Sequence, residues 1–145
     1  MKVAAPTIIT LAALVLVSTA PSATTARTMR VSVSTNQQQG DRPSWTAGIS
    51  ASGRFVAFTS QATDLVPGDT NDRQDAFVID RKNGRTQRVS VSTSGAQAKA
   101  GPNPDGGSAA LGISANGRYV LFRSDAGSVP RRWKYTCRSY AFSGG

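Results

Sequence analysis

GISASGRFVAF, Gly48 to Phe58, recurs as GISANGRYVLF, Gly112 to Phe122, an offset of 64 residues with only conservative changes. Each copy places a Ser-Gly or Asn-Gly turn ahead of a run of aromatic and β-branched residues, the pattern of a turn launching a strand. A second phrase, RVSVST, occurs at Arg30 to Thr35 and again at Arg88 to Thr93, an offset of 58. The extra six residues of the longer offset fall within SGAQAKAGPNPDGGSAA, Ser94 to Ala110, whose Gly, Pro and Ala content predicts a loop. Two phrases repeated in fixed order predict an array of like supersecondary units.

Between the copies lies DAFVIDR, Asp75 to Arg81, followed by Lys82, Asn83-Gly84 and RTQRVSVS. Asn-Gly predicts a two-residue hairpin turn between two antiparallel strands. Phe55 to Phe58 and Ala76 to Ile79 are continuously apolar, which predicts strands covered on both faces. In RVSVS, Val89 and Val91 alternate with Ser90 and Ser92, which predicts a strand with one wet face. Doubly covered inner strands and a half-exposed outer strand fit a propeller blade. The expected fold is all-β: antiparallel four-stranded propeller-blade repeats, one full blade plus a partial second, not a closed ring alone.

The phrases SWTAGISASGRFVAFTS, VPGDTNDRQDAFVIDRKNGRTQRVSVS and ALGISANGRYVLFRS resemble the TolB-like, WD-repeat-like β-propeller repeats of exported bacterial proteins. The resemblance runs from Arg30 to Asp125. It implies the propeller fold, with repeat 1 at about residues 30–93 and repeat 2 at about 94–128, but it implies no reaction, since propellers host many roles. The chain departs from the family in blade number, because closed propellers use about four to eight. It departs again after Val129-Pro130, where RRWKYTCRSYAFSGG matches the first unit only in a faint echo of Asp75-Ala76-Phe77 by Tyr140-Ala141-Phe142. A reading frame that slips near Ser128, leaving a shortened remnant of a longer propeller gene, is the expected origin of this divergent basic tail, 129–145.

The other end predicts export. Lys2 precedes an apolar stretch densest over Ile8 to Val17 and ends in STAPSATTA, the three regions of a secretory signal peptide over 1–26. Cleavage after Ala20, Ala23 or Ala26 fits the small residues there, and Ala26 is favoured because Pro21 disfavours the first two sites. Pro6, Thr7, Thr10 and Ser18 interrupt the apolar run, so no stable membrane span is expected after cleavage. The expected location is secreted or periplasmic, at the cell envelope.

Composition narrows the chemistry. All eight acids are aspartate, and histidine is absent, while the net charge of the whole chain is +9. Without histidine the usual general base and the commonest transition-metal ligand are missing, which argues against a Ser-His-Asp hydrolase or a zinc enzyme. GISASG lacks the spacing of a nucleophile elbow, so Ser50 and Ser52 are expected as turn and strand-end residues. Cys137 is the single cysteine and is expected as a free thiol or an intermolecular disulfide.

Two constellations remain. In VPGDTNDRQD, Asp69, Asn71 and Asp75 occupy loop positions one, three and seven, with Asp72 beside them, which resembles a calcium loop of the Asp-x-Asn-x-Asp type. Arg73 stands at the fifth position and no glutamate follows, so the alternative is a set of Asx turns ending in a strand. In the tail, Arg131, Arg132, Lys134 and Arg138 surround Trp133, Tyr135 and Tyr140, a mixture that suits polyanions. The favoured reading is nonetheless a disordered tail; the alternative, for an exported chain, is binding to cell-surface polyanions rather than nucleic acid. The expected function is a non-catalytic scaffold binding protein or glycan at the cell envelope, paired with further repeats or with its own copies; the alternatives are an accessory segment of an exported hydrolase or a non-functional remnant.

Overall fold

The computed structural model describes residues 26–92, 94–99 and 106–125, and the backbone of 135–139. The proposed signal peptide, apart from Ala26, lies outside these residues. So do Arg131, Arg132, Trp133, Lys134 and Tyr140, and the side chains of Tyr135, Cys137 and Arg138. Within the described residues the chain is all-β and antiparallel, and its strands do not close into a ring.

The first sheet is a meander of β1 (Ser44–Ile49), β2 (Phe55–Ser60), β3 (Asp75–Asp80) and β4 (Arg85–Arg88), in that spatial order. The second has β5 (Ser108–Ile113), β6 (Tyr119–Ser124) and β7 (Tyr135–Ser139). The repeated phrase is a repeated structure. β1 pairs with β2 with a register shift between Thr46 and Gly48, and β5 pairs with β6 with the same shift between Ala110 and Gly112. Ser44 donates a hydrogen bond to Ser60 at 2.8 Å, and Ser108 repeats it with Ser124 at 2.8 Å. In the turns, the Ser50 and Ser114 hydroxyls accept the amides of Phe55 and Tyr119, at 3.1 and 3.0 Å. Gly53 and Gly117 take positive φ there, which glycine adopts without a Cβ penalty. Ser50 and Ser52 are turn residues, as expected.

β2 and β3 are covered on both faces, as their unbroken apolar runs predict. On one face Val56, Phe58, Phe77 and Ile79 pack with Val33, Ala62 and Leu65, and the Phe58 and Phe77 rings stack at 5.6 Å between centroids. On the other, Ala57, Ala76, Val78 and Val89 form one cluster with Ala110, Val120 and Phe122 of the second sheet. Small residues on the receiving side let the two sheets approach closely.

Two expectations are corrected, and one strand lies where the repeats predict none. The β3–β4 connection is four residues, Arg81 to Gly84, not two: Asp80 and Arg85 still pair, and Gly84 supplies the positive φ that closes the turn onto the Asp80 carbonyl. The RVSVS stretch is not a strand with a wet serine face. Its strand stops at Arg88, and Ser90 is buried because its hydroxyl is needed by Asp75 and by the Ala76 amide. Both RVSVST copies instead end in a tight reversal, bridging Val33 to Gln39 and Val91 to Gln97, with Ser34 and Ser92 each closing the turn through backbone and hydroxyl. Finally, Tyr135–Ser139, read within a divergent tail, adds to the open edge of β6 in the place β3 takes beside β2. An unpaired strand edge is a template for any segment with strand propensity.

Candidate functional site

The loop between β2 and β3 brings Asp69, Asn71 and Asp75 together, around an arginine. Gly68 and Asp72 both take positive φ, which tightens the loop. Asn71 accepts the Arg73 amide at 3.0 Å through Oδ1, the Asx turn that the sequence offered as an alternative, and donates through Nδ2 to Asp75 at 3.0 Å. Arg88, at the end of β4, places Nη1 2.8 Å from Asp69 and 3.6 Å from Asp75. Ser90 donates to the second Asp75 oxygen at 2.5 Å. Asp69 and Arg88 form a close, buried ion pair, and Arg88 Nη2 also donates to the Gly68 carbonyl at 3.4 Å.

Burial sets the electrostatics. Desolvation pushes both the Asp69 and Asp75 carboxyls above the usual carboxylate range, against the pull of Arg88 and, at Asp75, of Ser90 and Asn71. A calcium ion would need several oxygen ligands at once. Here the Asn71 oxygen already accepts an amide and the Arg88 guanidinium already sits against both carboxylates, so the donor set suits a guanidinium better than a metal. Among the described residues no cluster of three or more His, Cys, Asp or Glu is arranged for a metal. Arg73, in the position where a calcium loop wants an oxygen, donates instead to the Gly106 carbonyl at 3.0 Å, tying the loop to the start of β5.

Sequence reasoning passed over Arg88 and Ser90 as strand residues. The signal was present, since Arg88 to Ser92 repeats Arg30 to Ser34 and stands beside a loop rich in acids.

Beside this cluster runs an open cleft of about 940 Å³ between the 34–38 reversal, the loop from Thr63 to Asp69, and β4. Its lining includes the hydroxyl, amide and charged side chains of Ser34, Asn36, Gln38, Thr63, Arg85 and Gln87. Leu65, Val66 and Val91 give it an apolar floor. Elsewhere Arg54 holds Asp80 with two hydrogen bonds, at 2.9 and 2.7 Å, and lies over the Phe55 ring at 4.8 Å. Among the described residues no helix is long and apolar enough to cross a membrane. No protein-family model, curated protein or solved structure matches the chain.

Proposed function

We propose that the chain is a non-catalytic, exported repeat protein of the TolB-like propeller type, whose sheets are blades and whose cleft beside β4, which mixes polar side chains with apolar surface, holds a glycan at the cell envelope. The blade reading is supported by two meanders with one register, one bulge and one turn chemistry, set face to face. Successive blades of a propeller stack in that manner. The cleft carries the binding reading. Hydroxyl and amide side chains match sugar hydroxyls, and an apolar floor matches the C–H faces of a sugar ring. A sequence without histidine lacks the usual general base, which favours a binding role over hydrolysis by a Ser-His-Asp triad.

The test is a binding titration against polysaccharides isolated from bacterial cell envelopes. Saturable binding is expected, and Gln38→Ala combined with Gln87→Ala should weaken it by about tenfold, roughly the worth of one or two hydrogen bonds. Cleavage of the polysaccharide, or binding untouched by the double substitution, would contradict the proposal.

A further inference from the structure

Stacking leaves two unlike ends on the molecule, and each is half of the interface already made inside it. In that interface Ile113 of β5 lies against the Gly48 backbone, the β5–β6 turn offers the Ala115 carbonyl to the Ala51 amide at 2.9 Å, and Phe55 lies against Gly117 so closely that a Cβ there would clash with the ring. The offset of 64 residues identifies the matching positions elsewhere. Ile49 matches Ile113 but is 56% exposed. Leu111, Tyr119 and Leu121 match Ala47, Phe55 and Ala57 of the receiving face, and all three are exposed. Gly112 matches Gly48 and has open space where Gly48 has Ile113.

We propose that a second copy of this chain docks head to tail on the outer face of β5 and β6, its Ile49 against Gly112 and its β1–β2 turn under Tyr119. The two ends then meet through their exposed apolar residues, Ile49 at the head and Leu111, Tyr119 and Leu121 at the tail. Val33, Ala62 and Leu65 already cover Val56 and Phe58 at the head, so an incoming copy sits farther out than β6 does. Leu111 and Leu121, larger than the alanines they match, fill that extra distance. Because the two surfaces differ, the contact is heterologous and propagates into a ring or an open chain of copies. The inference rests on the stacking of like sheets and not on glycan binding, which is measured separately.

Two end-blocked variants of the full chain test it. Ile49→Asp blocks the head and Leu121→Asp the tail; both residues are exposed, so each variant should keep the circular dichroism of the wild type. Light scattering coupled to size exclusion should show the wild type as an oligomer and each variant alone as a monomer. An equal mixture should give dimers only, since one free head meets one free tail. A monomeric wild type overturns the proposal. So does self-association surviving in either variant, or a mixture that stays monomeric. A variant without sheet signal is replaced by Ile49→Ser or Leu121→Ser, read against the same outcomes.

Discussion

Arg54 and Asp80 show how much one exposed side chain can fix. Two guanidinium hydrogen bonds hold the Asp80 carboxyl below the usual carboxylate range, with the Lys82 amide adding to the effect. A carboxyl whose folded value is depressed contributes stability that is fully present above its unfolded value and lost as pH falls toward the folded one. The melting temperature of Asp80→Asn should therefore lie below the wild type at neutral pH, with the gap closing on acidification; a gap independent of pH would refute this assignment. Asp69 and Asp75 have the opposite sign, because burial raises them and their protonation favours the fold. Ser90→Ala would remove the 2.5 Å donor from buried Asp75 and should cost about 1–3 kcal/mol in urea unfolding. A calcium titration of the chain to millimolar concentration should show no saturable heat, since Arg88 stands between the acids. Saturable binding lost in Asp75→Asn would show that calcium displaces the arginine.

At the scale of elements, β2 and β3 were legible because an unbroken apolar run admits few solutions other than a strand covered twice. The β1–β2 and β5–β6 turns were legible from their glycines. The fate of RVSVS was not, because alternation of valine and serine reports a wet face only when the serine has no buried partner, and Asp75 is remote in sequence from Ser90. The acids of the β2–β3 loop were visible as a group, but their partner was not, since Arg88 reaches them only once β3 and β4 have paired. β7 was hidden for a different reason: its pairing depends on the free edge of β6 more than on any repeat signature. The turns are the sensitive points. Gly117→Ala would place a Cβ at positive φ and into the Phe55 ring, and should destabilise the stacked sheets by at least about 1–2 kcal/mol in thermal or urea unfolding. Gly68 also has positive φ but open space around it, so Gly68→Ala should cost only the backbone share, about 1 kcal/mol.

For the whole molecule, the repetition visible in the sequence is a repetition in space, with two sheets of the same register packed face to face. The central claim is that β5 and β6 stack on β2 and β3 through the doubled phrase. Nuclear Overhauser contacts between the Phe55 ring and the Gly117 α-protons test it most directly, since no pairing within either sheet brings those residues together. Strong contacts, lost in Phe55→Leu while the β2–β3 pairing persists, are predicted. Their absence from a chain with both meanders folded would mean that the sheets do not stack and that the repeat does not build blades.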